Sequence, residues 1–361
     1  MITAVVMVGE SGGDGSVESW VQDARRKSTR DLLDQLAAQK GIGQVVLVTP
    51  DLDGLEEAQF SSHVKSQPGL VHVGQTLAEI IEDYSVSKLL YFGGGAAPLL
   101  GSQALESVVN RMESAGEGVV TNNRHASDWV GITPASAVAK WKDRLPQDNM
   151  MGWVLSTEAS LPVYCPQVSS STRLDIDTPS DLLALRMHPL VKRYLRQYLG
   201  SLPLDTSVLE DALSVLAAPA SQVFVTGRIS PTVWTALNEA TSCWIRVLSE
   251  ERGMVSSGRL QRGEVFSLLG DYISKMGITE FFEMLSNQAQ AAFIDTRVLL
   301  GHQRSWPSRS DRFYSDLGLA LKISDPWLRE FTAAALAAPI PIILGGHGLL
   351  SGDMLAFCEI L

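Results

Sequence analysis

Short apolar runs alternate with amphipathic stretches along the first half of the chain. Four of these runs end in glycine, proline or a polar loop, as buried strands do: residues 2–8, 44–49, 70–73 and 88–92. Apolar residues recur at helical spacing between them, first from about residue 17 to residue 40. Two further strands are predicted at 119–123 and 128–134. Strands that alternate with helices predict a Rossmann-like α/β fold, a mostly parallel sheet with helices on both faces.

The second half of the chain repeats this alternation on a smaller scale. Four apolar runs end in small or charged residues, at 222–225, 243–248, 291–294 and 340–344. Helical patterns lie between most of them, at 232–239, 264–275, 280–288 and 327–337. A helix that stops at Gly200 is followed by the break Ser201-Leu-Pro-Leu-Asp205. We therefore predict two domains, residues 1–200 and 201–361, of which the second is a smaller α/β unit.

Composition restricts the class of partner. The chain has 361 residues and is 45% hydrophobic, enough for two cores. Its 29 basic and 40 acidic residues give a net charge of −11, which disfavours binding to nucleic acid or to an anionic membrane surface. A small-molecule partner is expected.

Cysteine use and the N-terminal segment bear on location. The three cysteines, Cys165, Cys243 and Cys358, are far apart, which fits a reducing compartment and argues against a zinc site. Residues 2–8 follow no basic residues and run directly into glycines, unlike a signal peptide, and no stretch is long enough to span a bilayer. We expect a cytoplasmic protein, and the sequence leaves open a homodimer.

The most informative stretch is Arg173-Leu-Asp-Ile-Asp-Thr-Pro-Ser-Asp-Leu182. Thr178 stands where a helix N-cap belongs, Pro179 at the first helical position and Asp181 at the capping-box position. These residues predict a strand end that turns into a helix. Capping explains them without any chemistry.

Capping leaves two carboxylates, Asp175 and Asp177, without a role. The run 174–182 resembles the Asp-Ile-Asp-Thr-Pro-x-Asp-Leu signature that closes nucleotidyltransferase domains of the molybdenum-cofactor guanylyltransferase and phospholactate guanylyltransferase type. The resemblance covers the N-terminal half only. It implies a nucleotide-diphospho-sugar transferase-like fold, in which the first carboxylate or its neighbour helps to hold the Mg²⁺ that bridges the nucleotide phosphates. Asp175 and Asp177 are then the expected metal ligands and catalytic residues.

Ligands of such sheets bind outside the carboxyl ends of the strands. In the first loop, the family carries a glycine-rich segment with a basic residue. This chain has the glycines but bears Glu10 and Asp14 where a cation is expected, and a carboxylate repels a phosphate at close range. Lys27 falls where the family has its phosphate-binding lysine, although a solvated helix face explains it equally well. The expected nucleotide-binding glycines of this loop are Gly9, Gly12, Gly13 and Gly15.

The loop after the fourth predicted strand departs further from the family. Where the family has Gly-Asp-x-Pro-Leu-Leu, with the Asp as the main Mg²⁺ ligand, this chain reads Gly95-Ala-Ala-Pro-Leu-Leu100. Ala96 occupies the place of the aspartate, and a methyl group cannot coordinate a hard cation. Gly94 and Gly95 remain as expected nucleotide-binding residues. Either Asp175 or Asp177 holds the metal with help from a loop acid, or the domain no longer transfers nucleotides.

The second half suggests another site. If its strands are parallel, their carboxyl ends gather charged residues on one edge: Arg228, Glu250, Glu251, Arg252, Asp295, Arg297 and His347. Ser230 and Pro231 open a helix whose N-terminus could hold an anion beside Arg228. The glycines around His347 allow close backbone approach to a ligand. A network of ion pairs that closes the sheet edge is the alternative.

These observations predict a nucleotidyltransferase-like protein that binds a nucleoside triphosphate with Mg²⁺ and transfers a nucleotidyl group to an anionic, phosphorylated small molecule. A second hypothesis is a catalytically impaired homologue that acts as a binding or regulatory protein. A third is an enzyme, a hydrolase or transferase, whose active site lies in the C-terminal domain.

Overall fold

The computed structural model describes residues 1–10, 12, 15–67, 71–114 and 116–361. The chain divides into two compact units. The N-terminal unit comprises Met1–Gly15, Gln22–Ile176 and Leu190–Gly200, and the C-terminal unit comprises Ser16–Val21, Asp177–Pro189 and Ser201–Leu361. One of the points at which the chain passes from the N-terminal to the C-terminal unit follows Gly200. Two independent domains with a boundary there stay a prediction.

A seven-stranded sheet forms the centre of the N-terminal unit. Its strands are β1 (Ile2–Met7), β2 (Ile42–Thr49), β3 (Ser62–Lys65), β4 (Lys88–Gly93), β5 (Gly118–Thr121), β6 (Trp129–Thr133) and β7 (Val163–Tyr164). They lie in the order β3-β2-β1-β4-β6-β5-β7. Strand β6 is antiparallel to β4 and β5, and the other pairs are parallel. The predicted mostly parallel sheet is confirmed.

Helices cover this sheet because alternate side chains of its strands are apolar on both faces. In β1, Val6 packs in one cluster with Leu33 and Val108, and Val5 packs in another with Leu77 and Val138. Full burial of one such side chain contributes about 1.5–3 kcal/mol. The helices of this half are α1 (Val17–Ala38), α2 (Val73–Asp83), α3 (Ser102–Ser114), α4 (Ser136–Trp141), α5 (Met151–Trp153), α6 (Ser170–Arg173), α7 (Pro179–Met187) and α8 (Arg193–Ser201).

The predicted third strand is wrong. Leu70 lies outside the described residues, the next two residues are in no strand, and Val73 begins α2. His72 caps that helix, since its ring accepts a hydrogen bond of 3.3 Å from the first turn. The actual third strand, β3, is a four-residue edge strand whose polar sequence, Ser-His-Val-Lys, gives no apolar run.

A four-stranded sheet forms the centre of the C-terminal unit. Its strands are β8 (Gln222–Gly227), β9 (Trp244–Ser249), β10 (Ala291–Asp295) and β11 (Ile342–Gly345), in the order β11-β10-β8-β9. All neighbouring pairs are parallel. This confirms the second, smaller α/β unit.

Eight helices follow residue 206 in the described chain: α9 (Ser207–Ala217), α10 (Pro231–Ala240), α11 (Leu268–Met276), α12 (Ile278–Ser286), α13 (Thr296–His302), α14 (Arg309–Asp316), α15 (Pro326–Ala337) and α16 (Gly352–Ile360). The helix predicted to begin at residue 264 begins at Leu268. Ser267 sets this start, because its hydroxyl accepts the N–H of Gly270 at 2.9 Å. The capping residue Ser267 therefore sets the start of α11, which the apolar pattern alone places too early.

The predicted start of α7 is confirmed. Thr178 is the N-cap, Pro179 opens the helix, and the N–H of Thr178 donates to Oδ2 of Asp181 at 2.6 Å in a capping box. Asp181 and Asp353 of α16 are both fully buried. Within the described residues, Oδ1 of Asp181 and both carboxyl oxygens of Asp353 accept no hydrogen bond from a protein donor.

A proton shared by these two carboxyls would account for the unpaired oxygens. Burial raises the pKa of Asp181 well above its usual range, and it raises the pKa of Asp353 to about 7. The side chains lie within hydrogen-bonding reach of each other. Protonated Asp181 can therefore donate to Asp353 while its other oxygen caps α7.

This pair predicts a pH-dependent stability. The folded chain holds the Asp353 proton more tightly than the unfolded chain, so the free energy of unfolding should fall as pH rises from about 4 to about 7. The loss at the upper end should be on the order of 2–4 kcal/mol. Asp353→Asn, which cannot ionise, should flatten this slope in urea unfolding on either side of the window. Asp211→Asn, at an exposed position of α9, is the control, and equal slopes for wild type and Asp353→Asn would contradict the shared proton.

Candidate functional site

The strand order of the N-terminal unit reverses at β1 and β4. From β1 the chain moves outward to β2 and β3, whereas β4 lies on the other side of β1. In open parallel sheets such a reversal leaves a crevice at the carboxyl ends of the two strands, and ligands bind there. The loops after Met7 and Gly93 line the crevice that this topology creates for a ligand.

The two loops approach each other closely. A Cβ atom at Gly94 would lie 2.8 Å from Cγ2 and 2.9 Å from Cα of Val8. Real Cβ atoms do not come so near, so only glycine permits this approach. The next residue, Gly95, has a φ of +93°, which turns the chain away from β4.

Ala96 pairs with Asp175 in an isolated antiparallel bridge. Backbone hydrogen bonds of 3.1 and 3.2 Å flank it and join residues 95–97 to residues 174–176. The predicted strand before α7 is thus reduced to a single bridge, because the short helix α6 ends immediately before Leu174. Ala96 is buried and Asp175 is half-buried. The two positions at which the family resemblance implies metal ligands stand opposite each other, one as a methyl group and one as a carboxylate.

Arg26 holds the loops after β1 and β2 together. Its buried guanidinium donates to the carbonyl oxygen of Gly9 at 2.6 Å and to that of Asp53 at 2.7 Å, and forms an ion pair of 2.8 Å with Asp51. All these partners lie at the carboxyl edge of the sheet. Arg26 therefore shapes the candidate site from within the protein.

Arg25 lies at the bridge itself. Its Nε donates to the carbonyl oxygen of Ile176, and its side chain packs beside Gly95, where an added Cβ would lie 2.7 Å from Cγ of Arg25. Lys27 lies elsewhere on this edge, with Nζ 3.1 Å from a Cβ placed on Gly54 in the loop after β2. Its role on the phosphates stays a prediction. The sequence missed Arg25 because helical residues two apart point in nearly opposite directions, and a run of three basic residues does not show which one faces the site.

Tyr91 lies among three carboxylates. Its buried hydroxyl donates to Oδ2 of Asp148 at 2.9 Å. Burial is the largest cause that raises the pKa of Tyr91, followed by the charges and hydrogen bond of Asp148, then the charges of Asp175 and Asp128. Asp128 in turn accepts a hydrogen bond of 2.5 Å from Asn122. No local sequence pattern indicates this cluster, because the position of Tyr91 in an apolar run is typical of a core residue of β4.

These acids do not form a preformed metal centre. No group of three or more histidine, cysteine, aspartate or glutamate side chains among the described residues could hold a metal ion. Mg²⁺ that accompanies a nucleotide usually needs only one or two carboxylates, together with phosphate oxygens and water. Asp175 fits that smaller requirement. Asp177 is exposed and belongs to the C-terminal unit, and its role as a second ligand stays a prediction.

The glycine-rich loop after β1 is described in part. Gly13 and Asp14 of the predicted set lie outside the described residues. Gly9 accepts a hydrogen bond from Arg26, and the N–H of Gly12 donates to Asp23 of α1 at 2.9 Å. Gly15 has a φ of +72° just before α1. Contacts of these glycines with a nucleotide stay a prediction.

The second predicted set lies on one edge of the C-terminal sheet, because its four strands are parallel. The buried carboxylate of Asp295 forms an ion pair of 2.6 Å with Arg228 and accepts the N–H of Arg297 at 3.2 Å. The charge and hydrogen bond of Arg228 hold the pKa of Asp295 below its usual value, although burial acts in the opposite direction and is the largest influence. Arg297 is buried against Asp316, with a hydrogen bond of 2.7 Å from Nη2.

The two glutamates of this set have structural partners. Glu250 accepts hydrogen bonds from the hydroxyl of Ser267 at 2.6 Å and from the N–H of Leu268 at 2.7 Å, at the start of α11. Glu251 forms an ion pair of 2.5 Å with Arg259. The remaining members, Arg252 and His347, are exposed. Ser230 caps α10 as predicted, at 3.2 Å from the N–H of Val233, with Pro231 first in the helix.

Comparison with known proteins adds similarity to solved structures only. No family model matches the chain, and no curated protein matches it. It is similar to a cytidylyltransferase from Leptospira borgpetersenii serovar Hardjo-bovis, with 17% identity over 55% of this chain and 93% of that chain, at a TM-score of 0.40. A CMP:2-keto-3-deoxy-manno-octonic acid synthetase complexed with CTP is 11% identical over 51% of this chain and 97% of that chain, at a TM-score of 0.36. Similarities this weak carry no argument about activity.

No helix among the described residues is both long enough and apolar enough to cross a membrane.

The close approach at Gly94 can be tested by substitution. Gly94→Ala should lower the free energy of unfolding by about 1–3 kcal/mol, because the added methyl group collides with Val8. Gly101→Ala is the matched control, since an added Cβ there meets nothing within 4 Å. Urea unfolding measures both. Equal stabilities for the two variants would contradict the packing of the two loops.

Proposed function

We propose that the N-terminal unit binds a nucleoside triphosphate at the carboxyl ends of β1 and β4 and transfers its nucleotidyl group to a phosphorylated small molecule. The observation that carries this proposal is the Ala96–Asp175 bridge at the point where the strand order reverses. It places the resemblance motif, the glycine turn after β4 and Arg25 side by side. The net charge of −11 is compatible with a small-molecule substrate and does not favour nucleic acid.

In the proposed reaction, an oxygen of the acceptor phosphate attacks the α-phosphorus of the nucleotide. A new P–O bond forms as the bond from the α-phosphorus to the bridging oxygen breaks, and pyrophosphate leaves with that electron pair. Arg25 is positioned to bind a phosphate group through its guanidinium, and Gly94 and Gly95 let the backbone approach it. Asp175 would bind the Mg²⁺ that accompanies the nucleotide, and the ion would neutralise charge on the phosphates.

A second candidate function rests on Ala96. With a buried methyl group opposite Asp175, the bridge supplies one carboxylate where the family resemblance implies two ligands. A chain that keeps the crevice and lacks part of the metal site can bind a nucleotide without turning it over. The protein would then act as a binding or regulatory protein.

Nucleotide binding is tested by thermal shift of the full chain with GTP, CTP, ATP and UTP, each with and without Mg²⁺. At least one nucleotide should raise the melting temperature. Asp175→Asn should reduce the part of this shift that depends on Mg²⁺, because a neutral amide is a weaker ligand for a hard cation. Asp143→Asn, at an exposed site, is the control. Absence of stabilisation by all four nucleotides would refute the proposal.

A second experiment on this site separates the two candidate functions. Ala96→Asp restores a carboxylate opposite Asp175 and should increase Mg²⁺-dependent nucleotide affinity, with Ala96→Asn as the control for size and burial. Pyrophosphate release by the wild type with a mixture of phosphorylated acceptors indicates an enzyme. Release only from the Ala96→Asp variant indicates that the wild type binds without catalysis, and unchanged Mg²⁺ dependence in both variants shows that the bridge is not the metal site.

A further inference from the structure

The C-terminal sheet has its own point of reversal. From β8 the chain moves to β9 on one side, and β10 lies on the other side of β8. The crevice expected of such a sheet therefore opens between the carboxyl ends of β8 and β10. Arg228 follows β8 directly, and Asp295 ends β10. The ion pair between Arg228 and Asp295 therefore lies at this point of reversal.

Asp295 fixes the orientation of Arg228. The carboxylate of Asp295 accepts three hydrogen bonds from Arg228: from Nε at 2.6 Å, from Nη2 at 3.1 Å and from the backbone N–H at 3.3 Å. Gly227 makes room for it, because an added Cβ there would lie 2.3 Å from Cβ of Asp295, and its φ is +126°. Nη1 of Arg228 has no hydrogen-bond partner within the described chain. A rigidly held guanidinium with one free edge is suited to bind an oxyanion.

Two further groups follow strand ends on the same edge of the sheet, Arg252 after β9 and His347 after β11. His347 lies in the loop after β11, and the positive charges of Arg228 and Arg252 both act on its ring. His347 has exposed surface, yet protein atoms surround it densely. This desolvation is the main reason that the pKa of His347 is lowered to about 4, and the charge of Arg228 lowers it further. The charges of Asp295 and Asp177 oppose the shift. The ring is therefore neutral near pH 7 and can donate one hydrogen bond.

The acids of this edge and Arg297 are committed to partners inside the protein, whereas Arg252, His347 and the Nη1 edge of Arg228 are not, in the part of the chain that the structure describes. Asp295, Glu250 and Glu251 bind arginines or backbone donors. The side chains of Arg252 and His347 have no such partners among the described residues. An ion-pair network that merely closes the sheet edge would pair these groups as well.

We propose that this edge binds a small molecule through a phosphate group held by Arg228, Arg252 and His347. The three donors follow the ends of β8, β9 and β11, which lie on one edge of the parallel sheet, and Asp295 acts as the residue that positions Arg228. The proposal does not depend on the function proposed for the N-terminal unit.

Isothermal titration calorimetry of the full chain tests this, with inorganic phosphate, phenyl phosphate and acetate as probes. Both phosphates should bind saturably and acetate should bind more weakly. If phenyl phosphate binds more tightly than inorganic phosphate, the natural ligand is a phosphate ester, and the reverse order indicates free phosphate. Arg252→Gln and His347→Gln should each weaken binding about tenfold, the effect of one lost charge-assisted hydrogen bond.

Two control variants complete the test. Arg262→Gln alters an exposed arginine that pairs with Glu264, and it should bind phosphate as the wild type does. Asp175→Asn should also leave phosphate binding unchanged, which distinguishes this site from the nucleotide site. Absence of saturable binding by either phosphate overturns the proposal. Binding that survives in both Arg252→Gln and His347→Gln overturns it as well.

Discussion

The backbone hydrogen bonds between residues 95–97 and residues 174–176 hold the candidate site together. They join a turn that leaves β4 to a segment that lies about 80 positions later in the chain. Without them, Asp175 would not stand opposite Ala96, and Arg25 would lose the carbonyl group of Ile176 to which it donates. Each hydrogen bond contributes only about 0.5–1.5 kcal/mol, so the close packing at Gly94 is needed to keep this edge in one arrangement.

The methyl group of Ala96 limits what this edge can offer a cation. An aspartate there would make a pair of facing carboxylates able to attract a cation before any nucleotide arrives. With one carboxylate, a metal ion gains less from the protein and more from the phosphates that it accompanies. Arg25 supplies positive charge at the same place without a metal. Under the proposed function, one carboxylate and Arg25 would have to do at this edge what two facing carboxylates would otherwise share.

Residue patterns predicted much of this arrangement. Alternating strands and helices were sufficient for both parallel sheets, and the capping residues Thr178 and Asp181 located the start of α7. Strand β3 could not be predicted, because an edge strand needs no apolar run. The pattern of residues 174–176 predicts a strand, because a single bridge has the same local pattern. The position of Arg25 and the cluster around Tyr91 depend on contacts between residues far apart in the chain, and no local pattern encodes those.

Hydrogen–deuterium exchange of the full chain with and without Mg²⁺ and the most stabilising nucleotide tests the central claim most directly. The account predicts slower exchange of the amides of residues 93–97 and 174–176 in the presence of nucleotide, since a ligand at the reversal of strand order would cover both segments. Protection confined to other segments, with these two unchanged, would contradict a nucleotide site at the Ala96–Asp175 bridge.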